Sequence, residues 1–225
     1  MPKQARARSR KRSDSARKNE RREELLHVAA AVFTERGYKG ASMREIARRW
    51  GVQQAALYYY FPSKEKILEA ICGFAITQFI DVIASIQRAD LPAAEKIRRS
   101  VRAHIEPLVE DRFYVNAFLF QRRELRKASR RPLDEQSRVY EGLWAAMIEE
   151  GKRARAIPQS LDTRLAVLAI LGMCNTVARW SQGAAEAGVD RVADTFATLV
   201  CEGLFGGGAP APAAGRAART RPRGR

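Results

Sequence analysis

The feature that most restricts the fold of this chain is the spacing of its apolar residues, which recur at helical intervals along most of its length. Leu25, Leu26, Ala29, Val32 and Phe33 lie three and four positions apart, so they share one side of a helix that Gly37 should stop. A longer stripe runs through Leu68, Ile71, Cys72, Ala75, Phe79, Val82, Ile83 and Ile86, on a helix that Ser63 can cap. Pro92 suits the first turn of a further helix over 92–109. Helical spacing then returns over 110–130, 132–153, 161–181 and 189–205, separated by Pro132, Pro158 and a loop holding Gly183 and Gly188. No alternating strand pattern competes. The expectation is an all-α protein of about nine helices, a small N-terminal unit followed by a larger C-terminal one.

Between the first two stripes lies a compact set of start and stop signals. Ser42-Met-Arg-Glu45 has the form of a capping box, and the helix it begins should end at Trp50, where Gly51 breaks it. A short helix over Gln54–Tyr60 should follow and end at Phe61, because Pro62 disfavours helical geometry in the residue before it. Helix, glycine-containing turn and short helix together have the shape of a helix-turn-helix.

Charge narrows the partner. The 225 residues hold 41 Lys and Arg against 25 Asp and Glu, a formal net charge of +16. Residues 1–22 contribute ten basic and two acidic side chains, and residues 206–225 contribute five arginines and no acid. The tails thus hold 13 of the 16 charges, and the body is nearly balanced. Such a distribution suits an anionic partner, and nucleic acid fits better than a lipid surface because no Lys/Arg-rich amphipathic helix is evident.

A hydrophobic share of 46% excludes global disorder. Cys72, Cys174 and Cys201 lie far apart, supporting neither a disulfide framework nor a zinc site, so the chain reads as reduced and intracellular. No segment holds the 18 or so uninterrupted apolar residues expected of a membrane span, and the basic N-terminus lacks the apolar stretch of a secretory signal. His27 and His104 stand at no recognisable catalytic spacing, and G-x-S-x-G, P-loop and HExxH motifs are absent. No enzyme activity, metal or cofactor is expected.

The block LLHVAAAVFTERGYKGASMREIARRWGVQQAALYYYFPSKEKILEAI, with Ala29, Phe33, Gly37-Tyr38, Ile46-Ala47, Gly51-Val52, Leu57-Tyr58, Phe61 and Ser63-Lys64-Glu65, closely resembles the N-terminal domain of TetR-family transcriptional regulators. The likeness covers roughly residues 19–79. It implies that the third helix enters the DNA major groove. Gln53 and Gln54 then offer amides to a base edge or a phosphate, while Ala55 and Ala56 allow close approach to a thymine methyl. By the same match Tyr58 and Tyr60 face the DNA, with Tyr59 less fixed, and Ser42, Arg44 and Lys64 sit at helix starts suited to phosphates. The departures at Ala55-Ala56 and Tyr60 bear on which operator is read.

Composition and the resemblance together divide the chain into a disordered basic tail (1–18), a DNA-binding domain (19–79), an effector-binding and dimerisation domain (80–205) and a disordered Arg/Ala/Pro/Gly tail (206–225), the tails from their composition. The resemblance implies a homodimer through the last two helices, whose apolar faces are Leu161, Leu165, Leu168, Leu171 and Gly172, and Val192, Phe196, Leu199, Val200, Gly203 and Leu204. A dimer matches a palindromic double-stranded operator. It also implies a small-molecule effector site, for which His104, Phe113, Phe118, Trp144, Met147, Asn175 and Arg179 are the candidate lining. The aromatic content favours a large hydrophobic or acyl-thioester-like effector, with arginine available for an anionic group. The expectation is a cytoplasmic, nucleoid-associated repressor that its effector releases from DNA. The alternative is a sequence-indifferent architectural protein that binds DNA through its basic tails.

Overall fold

The computed structural model describes residues 2–206, and the described residues form ten α-helices and no strand. Helix α1 (Pro2–Gly40) is broken at Gly37, whose φ of 67° and ψ of 162° lie outside the helical region. α2 (Met43–Trp50), α3 (Gln54–Tyr60) and α4 (Lys64–Arg88) follow at short intervals. Then come α5 (Ala93–Glu110), α6 (Arg112–Asn116), α7 (Lys127–Arg153), α8 (Thr163–Asn175), α9 (Ser181–Ala187) and α10 (Val189–Phe205).

The apolar stripes are what bring these helices together. Leu25, Leu26, Phe33, Ile46, Leu57, Leu68 and Ile71 are buried where α1 packs on α2, α2 on α3 and α4 on α1. Farther along α4, Cys72, Ala75, Ile76, Phe79 and Ile83 are buried as well, and α4 packs lengthwise against α7 and also on α5. The boundary expected at 79/80 therefore falls inside one helix, which belongs to the cores of both halves. α10 lies along α5, and α8 packs on α7 and α5. Within this second core Lys96 is only 6% exposed and pairs with Glu150 at 2.9 Å, fastening α5 to α7.

Several expectations are corrected. The basic tail over 1–18 has helical backbone from Pro2 onward, because Ala, Arg, Lys and Gln are strong helix formers and no glycine or proline follows Pro2 before Gly37. The other expected tail, 206–225, lies outside the described residues except for Gly206. Pro132 does not begin α7 but sits inside it, and the loop expected around Gly183 is the short helix α9. The helix expected over 110–130 is α6 followed by a π-helical turn, Ala117–Gln121, and a 3-10 turn, Arg122–Glu124. By length and composition α4 could cross a membrane, although no 18-residue run in it is uninterrupted; here it is the helix around which the others pack.

Candidate nucleic-acid interface and ligand cavities

Local chemistry fixes the corner between α2 and α3. The Ser42 hydroxyl accepts the Glu45 N–H at 3.2 Å, which satisfies one of the free donors at the start of α2. Glu45 does not complete the reciprocal half of the box; its carboxylate holds the Arg48 guanidinium at 2.9 and 3.1 Å. Gly51 ends α2 at φ 76°, a left-handed conformation that glycine adopts without steric cost, and its N–H turns back to carbonyls of that helix. α3 begins at Gln54 with no side-chain cap, and Phe61 ends it in extended geometry before Pro62.

This leaves α3 anchored by one buried residue, Leu57, while Gln54, Ala55, Ala56, Tyr58 and Tyr59 are exposed. The Gln54 amide lies 3.4 Å from the Tyr58 hydroxyl, so both polar groups project from one face, one turn apart. Ser42, Arg44 and Gln53 are exposed beside them, and Arg44 has no carboxylate partner among the described residues. The tyrosines are distributed differently from the expectation. Tyr58 and Tyr59 are 48% and 69% exposed, whereas Tyr60 is half-buried with its ring packed edge-on to Trp50 at 5.3 Å. Tyr60 thus braces the α2–α3 corner.

Lys64 is the second correction. Its ammonium turns inward and donates to the Tyr38 and Ala41 carbonyls at 2.8 and 2.9 Å, 4.4 Å over the Tyr38 ring. It ties α4 to the end of α1 instead of reaching outward to a phosphate. Arg49 is likewise occupied: it donates to Glu35 at 2.8 Å, and that hydrogen bond holds the Glu35 carboxyl below its ordinary range.

Three further cations, on α1, stand beside this face although none is among the positions expected to contact DNA. Lys18 lies over the Tyr59 ring, Arg21 over Trp50 and Arg22 over Phe61, each 4.9 Å from the ring centre. Their spacing of three and four continues upstream the stripe that Leu25 and Leu26 begin, which is the signal in the sequence that marks them.

In the C-terminal half the candidate ligand residues separate. His104, Phe118 and Asn175 meet around a cavity of about 120 Å³ between α4, α5, α7 and α8, with Phe79, Tyr140 and Arg122 also in its wall. His104 is buried; its Nε2–H donates to Asn175 Oδ1 at 3.2 Å and its Nδ1 accepts the Tyr140 hydroxyl at 2.7 Å. Burial pushes the imidazole pKa down to about 4, so the ring is neutral at pH 7. Sharing Leu119 and Asn175 with this cavity is a wider one of about 460 Å³, which carries Arg123 and Arg179. A third space of about 280 Å³ is walled by Phe74, Phe79, Val82 and Tyr114, with Glu110 and Asp111 in its lining. Phe113, Trp144 and Met147 line none of these three: Trp144 and Met147 are fully buried packing residues, and Phe113 stacks edge-on against His27 at 5.7 Å. Their helical spacing could not distinguish core from cavity.

The irregular segment after α6 touches both halves. Phe118, Leu119 and Arg122 face the cavities, while the Gln121 side-chain Oε1 accepts the Tyr38 N–H at 3.0 Å, next to the Gly37 break. Glu124 pairs with Lys39 at 3.5 Å. Just beyond, Arg126 donates to Glu65 through its backbone at 3.2 Å and its guanidinium at 2.8 Å. Cavity wall and DNA-binding domain are therefore joined through about ten consecutive residues, 117–126.

The last two helices present two faces each. Ala166, Val167, Ile170, Leu171 and Cys174 of α8, and Val192, Ala197, Val200 and Leu204 of α10, are buried within the chain. Of the expected interface, Leu171, Val192, Val200 and Leu204 therefore belong to the internal core. Leu165, Leu168 and Leu199 point outward at 63%, 47% and 56% exposure, with Gly172 and Gly203 also exposed.

Comparison with known proteins agrees with this arrangement. Residues 25–71 match the family described as bacterial regulatory proteins, tetR family, and residues 90–204 match the tetracyclin repressor-like C-terminal domain. The chain is 26% identical over 192 residues to the HTH-type transcriptional repressor KstR2 of Rhodococcus jostii, covering 85% of this chain and 94% of that protein. It is 28% identical over 161 residues to the fatty acid metabolism regulator protein of Bacillus subtilis, covering 70% and 81%. Its fold is similar to that of the fatty acid degradation regulator FadR from Bacillus halodurans, with a TM-score of 0.71 and 26% identity over 82% of this chain and 96% of that one.

Proposed function

Since this chain belongs to the TetR family of bacterial transcriptional regulators, we propose that it is a repressor which binds a palindromic operator as a homodimer and leaves it when an anionic amphiphile enters the C-terminal domain. The observation that carries the reading is the α3 face. Gln54, Ala55, Tyr58 and Tyr59 are exposed on a helix whose Leu57 anchor and bracing Tyr60 leave it little freedom to adjust. A rigid helix with amide and hydroxyl groups on its free side can hydrogen-bond base edges and phosphates in a major groove.

One such helix reads too few base pairs for specificity, which is the physical need for two. The outward leucines 165, 168 and 199 supply an apolar patch on α8 and α10 that a second copy would cover. For the effector, charge chooses among the cavities. The aromatic space with Glu110 and Asp111 repels an anion, whereas the pair sharing Asn175 offers an apolar interior and three arginines, Arg122, Arg123 and Arg179, against the single carboxylate of Glu141. An acyl thioester has that division, a long apolar chain and an anionic head, and a relative is named for fatty acid metabolism. Occupation would press on α4 through Ile76 and Phe79 and on the 117–126 segment through Phe118 and Leu119. Either movement alters the seat of the DNA-binding domain and the spacing of the two α3 helices. Repression places the protein in the cytoplasm, on the nucleoid.

Selection of binding sites from random duplex DNA tests the reading. The expected product is a two-fold symmetric site with half-sites about one helical turn apart, bound less tightly when a long-chain acyl-CoA is added. Enrichment of no sequence would favour the architectural alternative and overturn the proposal.

A further inference from the structure

The structure points to a second DNA-binding element: the N-terminal part of α1, which we infer holds backbone phosphates beside the half-site that α3 reads. The inference rests on α3 being the reading helix, but its test does not require that any operator exist.

Helix α1 begins at Pro2, whereas the first buried apolar residue among its described side chains, which start at Arg17, is Leu25. About six turns of helix, roughly 33 Å at about 1.5 Å per residue, therefore precede Leu25, and residues 17–24 of it are exposed. Residues 1–22 contain no Val, Ile, Leu, Phe, Tyr or Trp, so this stretch offers no apolar face to a membrane or a partner helix. It carries ten basic and two acidic side chains. The only partner that such a surface suits is a dense line of negative charge, which duplex DNA presents about every 1.7 Å along its axis.

Three stacking interactions place the C-terminal end of this stretch. Lys18 lies over Tyr59, on the exposed side of the reading helix, and Arg21 and Arg22 lie over Trp50 and Phe61 at its base. Lys18, Arg21 and Arg22 are thus stacked against α2 and α3 at the edge of the surface that would meet DNA. A cation over a ring face keeps its remaining N–H groups directed away from the ring; Arg21 donates one of them to Glu24 at 3.0 Å in an exposed ion pair, and its others, with those of Lys18 and Arg22, are available to a phosphate oxygen. Arg17 is exposed beside them. Stacking also restrains long side chains before DNA arrives, which lowers the entropy lost on binding.

The test is the salt dependence of binding to a mixed-sequence duplex of about 30 base pairs, measured by fluorescence anisotropy on the full chain. For Arg17→Gln/Lys18→Gln/Arg21→Gln, the slope of log affinity against log salt should become shallower by about 0.9 for each phosphate no longer neutralised, roughly 2.7 per protomer if all three side chains reach one. Arg17→Gln/Lys18→Gln, which keeps the Arg21–Trp50 stack, should show about two-thirds of that change, with an unaltered melting curve. Arg131→Gln/Arg138→Gln/Arg153→Gln, which removes the same charge from exposed positions of α7, should leave the slope alone. An unchanged slope in the first two variants, or an equal change in the α7 variant, would overturn the inference. Failure of the operator reading would show separately, as a chain that keeps its salt slope and prefers no sequence.

Discussion

At the scale of single residues, the same amino-acid type does opposite work a few positions apart. Gln54 projects from α3 with only a long approach to Tyr58, while Gln121 is spent on the Tyr38 N–H. Replacing Gln54 with Ala should weaken binding to a selected operator by about 1–3 kcal/mol and spare nonspecific duplex; equal affinities in a titration would remove this residue from base reading. His104 shows how burial sets a charge state. Its folded pKa, about 4, lies below the ordinary 6.5, so the unfolded chain takes up the proton first as pH falls. The stability this residue contributes is complete above the unfolded value and declines progressively between 6.5 and about 4. Between pH 7 and pH 5 the wild-type chain should therefore lose about 2 kcal/mol more than His104→Gln, read from urea midpoints at the two pH values. Identical losses would mean that His104 is not buried neutral. Cys72 responds in the other direction: burial pushes its thiol up to about 12, which keeps it an inert core group at neutral pH.

At the scale of elements, caps and junctions matter more than helix propensity. α2 is eight residues long and α3 seven, both too short to persist alone in water, so their ends and packing hold them. Gly51→Ala forces a side chain into φ 76°, and a destabilisation of about 1 kcal/mol is expected, visible as a lower melting temperature with the DNA-binding half the first to open. The 117–126 segment is where regularity yields to connection. A π turn places an extra residue in the helix, which shifts the side chains after it and lets Phe118 enter the cavity wall while Gln121 reaches Tyr38. Gln121→Ala leaves the Tyr38 N–H without its partner and should weaken the response of DNA affinity to an acyl-CoA, with the operator-facing side chains intact. A ligand response equal to wild type would place the coupling wholly in α4.

At the scale of the whole molecule, the chain keeps an apolar surface that nothing among the described residues covers. Leu165 and Leu199 are more than half exposed. Each leucine covered on dimerisation contributes about 1.5–3 kcal/mol, and a charge placed there must be desolvated. Leu165→Glu/Leu199→Glu should therefore sediment as a species near 25.2 kDa at micromolar concentration, where the proposed dimer of the parent chain should sediment at twice that mass. A double variant that stays dimeric would move the interface elsewhere. The net charge works at this scale too. Only a small excess lies in residues 23–66, seven basic against five acidic, so on the proposed reading specificity would rest on a nearly neutral helix and the α1 extension would govern affinity and its dependence on salt.

The sequence by itself determined the helical class, the register of the apolar stripes and the corner from Ser42 to Phe61, because these depend on spacing, caps and glycine or proline within a few residues. The breaks at Gly37 and Gly51 and the stop before Pro62 follow from backbone sterics that no distant residue has to supply. Tertiary structure decided what depends on residues far apart in the chain. Whether Lys64 met phosphate or the Tyr38 carbonyl, whether Tyr60 faced DNA or Trp50, and whether Trp144 lined a cavity or filled the core were packing outcomes, equally compatible with the same helical periodicity. A stripe says that a side chain turns toward a neighbour. It does not say which helix that neighbour is on, or how closely the two surfaces fit, and those distances divide a buried brace from an exposed reading group.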